Sequence, residues 1–135
     1  MTSTALDAPG QPVRILVIDA DRRVRNSLEC LIQVADGVDC VCTVADAAEA
    51  LSVLETEQVD CVLIDPRLPE VEVGLAFLAE ARRRWPDLAL VAMSGSDEIA
   101  PASLRNGAIA FVAKSGQPEE LLAALTRRGR RPGTL

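Results

Sequence analysis

The sequence predicts a doubly wound α/β fold, and three observations carry that prediction. Short β-branched apolar runs alternate five times with segments of helical periodicity. The links between them are short, which favours parallel strands joined by crossover helices. Apolar residues make up 49% of the chain and aromatics only 2%, so Val, Leu, Ile and Ala must fill the interior. At 135 residues the chain is most simply one domain with its own hydrophobic core.

Residues 13–19 (VRILVID) read as a strand buried on both faces, ending in Asp19. Val24, Leu28, Leu31, Ile32 and Ala35 then recur at helical spacing, with Gly37 as the stop. Residues 38–44 (VDCVCTV) are strand two. Asp46 and Glu49 make a capping box for a helix carrying Ala50, Leu51 and Leu54. Strand three, residues 60–65 (DCVLID), ends in Asp65. The stretch PRLPEVEVG reads as a loop, after which Leu75, Leu78, Ala81 and Trp85 line a helix closed by Pro86. Strand four covers 88–95. A brief helix follows, starting near Pro101 and stopping before Gly107, and strand five covers 108–114. Pro118, Glu119 and Glu120 open the last helix, with a proline near its first position and acids at its positive end. This organisation gives a flexible lead over residues 1–12, a folded domain over 13–126 and an arginine-rich flexible tail over 127–135.

Composition removes several functions. There is no histidine, and Cys30, Cys40, Cys42 and Cys61 form no CxxC, so zinc spacings and imidazole-dependent triads are excluded. Cys40, Cys42 and Cys61 sit in strand-like runs and are expected to be buried thiols, whereas Cys30 falls off the apolar face of its helix. Residues 1–126 carry ten basic against twenty acidic groups, which argues against direct nucleic-acid binding by the folded part. No apolar stretch is long enough for a membrane span and the first residues do not resemble a secretory signal, so a cytoplasmic location is expected.

Ligands of doubly wound sheets sit beyond the carboxyl ends of the strands. Those ends carry Asp19, with Asp21 just past it, then Asp65, Ser94 and Lys114. Lys114 is the only lysine in a chain whose other basic residues are all arginine. Carboxylates suit Mg2+, and a hydroxyl with a compact ammonium suits phosphoryl oxygens. No P-loop is present, so nucleoside triphosphates are not the expected ligand. Plainer roles are open too: Asp21 as the cap of the first helix, Ser94 as a loop hydroxyl, and Phe111, inside strand five, as core.

In ILVIDAD, VDCVLIDPRLP, LVAMSG and GAIAFVAKSGQPEELLAAL, in this order and at these separations, the chain resembles the receiver domains of bacterial two-component response regulators. The likeness runs from about Val13 to Leu125. It implies a flavodoxin-like three-layer sandwich with parallel sheet order 2-1-3-4-5. It also implies that Asp65 accepts a phosphoryl group from a histidine kinase, a phosphotransfer protein or a small donor. Asp19, Asp21, Asp65 and the backbone carbonyl of Arg67 would hold Mg2+. Ser94 and Lys114 would bind the phosphoryl oxygens, and Phe111 would turn inward on occupancy. The output would be a downstream protein or a homodimer formed through the face between strand four and helix five. Such a domain is a signalling phosphoacceptor, not a conventional enzyme.

The chain departs from the pattern in three places. Ala20 stands where the second of two adjacent acids is usual, and Ser115 where a cis proline is usual. The loop after Asp65 is one residue longer, and the segment from Ser94 to Lys114 about two shorter. Ala20 supports an alternative, a pseudo-receiver that binds partners without phosphorylation. A further alternative is the N-terminal half of a DNA-binding regulator. An aspartyl-phosphate phosphatase is disfavoured, because Arg67 occupies the place of its second acid.

Overall fold

The computed structural model describes residues 11–126; the predicted flexible tail over 127–135, and all but Gln11 and Pro12 of the predicted lead, lie outside them. Five strands and five helices alternate: β1 Val13–Ile18, α1 Arg22–Val34, β2 Val38–Val44, α2 Ala47–Thr56, β3 Cys61–Ile64, α3 Val71–Arg84, β4 Ala89–Ser94, α4 Ala100–Arg105, β5 Ala110–Ala113 and α5 Pro118–Thr126. A single 3-10 turn, Asp97–Ile99, leads into α4. All strand pairs are parallel, in the order β2-β1-β3-β4-β5. Among the described residues no helix is long and apolar enough to cross a membrane.

Strand alternation sorts the core into two layers. Ile15, Val17, Cys61, Leu63, Val91 and Met93 face α1 and α5, meeting Leu28, Ile32, Leu121 and Leu125. Leu16, Ile18, Val62, Ile64 and Leu90 face the other way, onto Ala50 and Leu54 of α2 and Phe77, Leu78 and Ala81 of α3. β1, β3 and β4 lie inside the sheet and are covered on both sides, which is why they read as continuous apolar runs.

The cysteine expectation needs correcting in part. Cys61 is buried, but Cys40 and Cys42 are only half-buried, because β2 is an edge strand. The register along β1 shifts between Ile15 and Leu16, opposite Cys40 and Cys42. That bulge leaves Val41 unpaired and turns the two thiols into different layers, Cys40 toward α1 and Cys42 toward α2. Burial first, and then the acids Glu29 and Asp39 together with Cys42, push the Cys40 thiol up to about 11. It stays protonated at neutral pH and is a poor nucleophile. Cys30 is exposed, as its position on the helix implied.

The loop after Asp65 is also shorter than its sequence suggests. α3 begins at Val71, not beyond Gly74, and the amides of Val73 and Gly74 close onto the carbonyl of Glu70. The reason is a close approach. A β-carbon on Gly74 would lie 1.8 Å from the carbonyl oxygen of Pro66. Here glycine serves packing inside a helix, and it sets the path of the turn that follows Asp65. Trp85 caps α3 and packs on the second layer, with the Arg84 guanidinium 4.5 Å above its ring.

Substituting Gly74→Ala must displace the Pro66 backbone, since a methyl group cannot share that space. The expected loss is about 2 kcal/mol or more in urea unfolding, within the range for overpacked sites. A loss under about 0.5 kcal/mol, as for an ordinary surface substitution, would show that the contact is not strict.

Candidate functional site

Parallel pairing brings the carboxyl ends of β1, β3, β4 and β5 to one edge, and most of the expected site residues meet there. Asp19 follows β1 and is 3% exposed; Asp65 follows β3 and is 8% exposed; Ser94 closes β4 and is 1% exposed. Burying two carboxylates is costly unless they are bonded and paired, and each is held the same way. Asp19 Oδ1 accepts from the amide of Asp21 at 2.8 Å, and Asp65 Oδ1 accepts from the amide of Arg67 at 3.0 Å. Their outer oxygens turn toward Lys114, which follows β5 and is tied to β4 by its amide, bonded to the Ser94 carbonyl at 2.9 Å. The ammonium donates to Asp65 Oδ2 at 2.6 Å and lies 3.1 Å from Asp19 Oδ2.

The second contact is ionic and not an aligned hydrogen bond. Asp19 Oδ2 has no hydrogen-bond donor among the described residues, although it is buried. Its one close partner is the Lys114 ammonium, and a carboxylate oxygen buried with a single ionic contact keeps capacity to accept from an arriving ligand. Burial weighs against the Lys114 ammonium, but the bond to Asp65 and the contact with Asp19 outweigh it, and its pKa is raised.

The remaining predicted residues sit apart. Asp21 is exposed and caps α1, its Oδ1 accepting from the amide of Arg23 at 2.9 Å; it meets the cluster through its amide on Asp19 and not through its carboxylate. Arg67 is exposed and contributes its amide to Asp65. Ser94 Oγ accepts from the Ser96 amide at 3.3 Å, which leaves its proton free to donate. Phe111 is half-buried, pairs in register with Ala92, and belongs to neither core layer. The Lys114–Ser115 peptide is trans; the one cis bond among the described residues is Leu68–Pro69.

Two groups escaped the sequence reading. One is the pair of backbone amides, of Asp21 and Arg67, that orient the carboxylates. The other is Arg25, whose Nη1 donates to the carbonyls of Asp19 at 2.8 Å and Ala20 at 3.2 Å. A signal for Arg25 did exist: α1 opens on several arginines and no acid, against the preference of a helix N-terminus.

Mg2+ typically takes one or two carboxylates and completes its shell with water and phosphate oxygens. Asp19 and Asp65, two buried carboxylates whose outer oxygens turn to the same point, fit that need. No group of three metal-binding side chains occurs among the described residues, because position 20 is alanine and Asp21 is occupied as a cap.

The comparisons with known proteins place the fold in a family. Residues 15–126 match the model of the response regulator receiver domain. The response regulator MprA of Mycolicibacterium vanbaalenii is 35% identical over 122 residues, 87% of this chain and 52% of that protein. The uncharacterized transcriptional regulatory protein YhcZ of Bacillus subtilis is 32% identical over 113 residues, 82% of this chain and 52% of that one. The chain thus spans about half the length of each. Among solved structures, a CheY-like receiver domain protein from Methanospirillum hungatei superposes with a TM-score of 0.77 at 27% identity, covering 88% of this chain and 94% of its own.

Replacing Lys114 with methionine leaves two buried carboxylates facing each other. Removing one partner of a buried pair costs up to about 3–5 kcal/mol, and the partial exposure of Lys114 brings the expected loss to about 2 kcal/mol at pH 7. Because the folded pKa is raised, this contribution is complete below lysine's ordinary value of about 10.4 and is lost as pH rises through the folded value. Urea melts of both proteins from pH 7 to 11 should show a constant gap that closes only at the alkaline end. A gap that closes near pH 8 would contradict the bridge.

Proposed function

The chain belongs to the response regulator receiver family, and on that premise we propose that it is a phosphoacceptor switch with Asp65 as the acceptor. Receiver domains of two-component systems are signalling modules that interact with kinases, not conventional enzymes. The finer reading rests chiefly on one observation. Asp65, nearly buried at a strand end, is bridged by the only lysine in the chain to a second buried carboxylate, whose outer oxygen has that ionic contact and no aligned hydrogen bond.

In this reading an Asp65 carboxylate oxygen attacks the phosphorus of a histidine kinase phosphohistidine, a phosphotransfer protein or a small acyl phosphate. The new O–P bond forms as the bond to the donor's leaving atom breaks, and that atom keeps the electron pair. The Arg67 amide on Oδ1 holds the carboxylate plane while this happens. Lys114 passes from Asp65 Oδ2 to the phosphoryl oxygens, where a compact ammonium suits a narrow cleft better than a planar guanidinium. Ser94 donates its free proton to another phosphoryl oxygen. Asp19 and Asp65, with the Arg67 carbonyl and Asp21 if its side chain swings from the cap, would hold Mg2+, which supplies positive charge against the phosphoryl oxygens when bound.

Phe111, outside both core layers, turns inward as Ser94 shifts, and the change is read on the face between β4 and α5. Leu104 of α4 and Ile109 before β5 are 45% and 50% exposed there, an apolar surface for a partner protein or a second copy. A second reading, a pseudo-receiver that works without phosphate, is favoured by Ala20 together with the capping role of Asp21. A third, the input half of a DNA-binding regulator, draws on relatives about twice as long as the matched stretch.

Incubation with acetyl phosphate and Mg2+, read by intact mass, should add one phosphoryl group that Asp65→Asn and a chelator both abolish. Ala20→Asp should tighten Mg2+ by about tenfold or more, since a nearby carboxylate contributes well over 1.4 kcal/mol even when partly screened. No mass gain, together with no Mg2+ uptake by direct titration, would reject the switch in favour of the phosphate-independent module.

A further inference from the structure

We propose that Arg25 is a positioning residue for the metal- and phosphoryl-binding edge, acting through the backbone of Asp19 and Ala20. The inference rests on the phosphoacceptor reading above and deepens it. α1 opens with Arg22, Arg23 and Arg25, a placement that the helix dipole disfavours. Arg22 and Arg23 are exposed, but Arg25 is half-buried and folds back to bond the carbonyls of Asp19 and Ala20.

With that clamp every main-chain polar group of Asp19 is engaged. Its amide bonds the Val44 carbonyl at 3.1 Å, its carbonyl accepts from Arg25, and its Oδ1 accepts from the Asp21 amide. The side chain is left one direction, in which Oδ2 is held buried against the Lys114 ammonium without an aligned hydrogen bond. Ala20 gives the role its weight. With no carboxylate at position 20, the loop's metal-binding capacity falls mainly on Asp19, and its aim depends on the carbonyls that Arg25 holds. Partners of this outer kind commonly change metal affinity by about ten- to a hundredfold.

The test compares Arg25→Met, Arg25→Lys and Arg14→Met with the wild type. Arg14 is the control, since its Nε donates to the Gln58 carbonyl at 2.8 Å from the opposite end of the same strand. Two readouts are taken: Mg2+ affinity by calorimetric titration, and hydrogen exchange of the Asp21 amide, which reports the Asp19 carboxylate directly. Arg25→Met should weaken Mg2+ by about tenfold or more and lower Asp21 protection by a similar factor, with Arg25→Lys recovering much of both. Arg14→Met should match the wild type in both while lowering the melting temperature comparably. The proposal is overturned if Arg25→Met keeps Asp21 protection within about twofold of the wild type, or if Arg14→Met lowers it equally. A wild type that binds no Mg2+ and takes no phosphoryl group would refute the phosphoacceptor reading, and Asp21 exchange would still decide the role of Arg25.

Discussion

One ammonium closes the functional edge of this domain. Lys114 draws the ends of β1, β3 and β5 together by contacting Asp65 Oδ2 at 2.6 Å and Asp19 Oδ2 at 3.1 Å. Two carboxylates this deeply buried would repel each other and lose their hydration, so a cation between them stabilises the edge. The rest of the architecture serves that constraint. Parallel pairing aligns the strand ends, two apolar layers fix the strands, and Gly74 lets α3 press against Pro66 so that the turn after Asp65 has one path.

Satisfaction at this edge is deliberately incomplete. Each carboxylate has one oxygen fixed by an amide two residues on, and Asp65 gains a full bond to Lys114, while Asp19 keeps an oxygen with no donor. That oxygen is held by the Lys114 ammonium at 3.1 Å alone, so its pairing is ionic where that of Asp65 is a full hydrogen bond. Ala20 lowers the negative charge of the edge, and Asp21 is spent on the helix. The edge therefore gathers two carboxylates and not three.

Much of this was legible in the sequence, for identifiable reasons. Strands β1, β3 and β4 show as β-branched runs because both their faces are covered, and the strand-end residues Asp19, Asp65, Ser94 and Lys114 follow from where those runs stop. Strand order did not follow from alternation and came with the family resemblance. Gly74 read as a loop residue because nothing local reveals that Pro66 passes against it. The half-burial of Cys40 and Cys42 depends on β2 lying at the edge, which is a property of the sheet and not of the strand. Asp21 could not be decided from spacing, since a capping acid and a metal-binding acid occupy the same place before a helix. Arg25 acts through carbonyls, which carry no residue-specific signal.

The single lysine offers the most direct measurement. Labelling lysine alone with 15N gives one side-chain ammonium resonance to follow by NMR. A bridging ammonium should give a signal slowed in exchange with water by its two carboxylates, which shifts when acetyl phosphate and Mg2+ are added and loses its protection in Asp65→Asn. A rapidly exchanging signal at the position of free lysine, unchanged by phosphodonor or by the substitution, would contradict the bridge and the switch built on it.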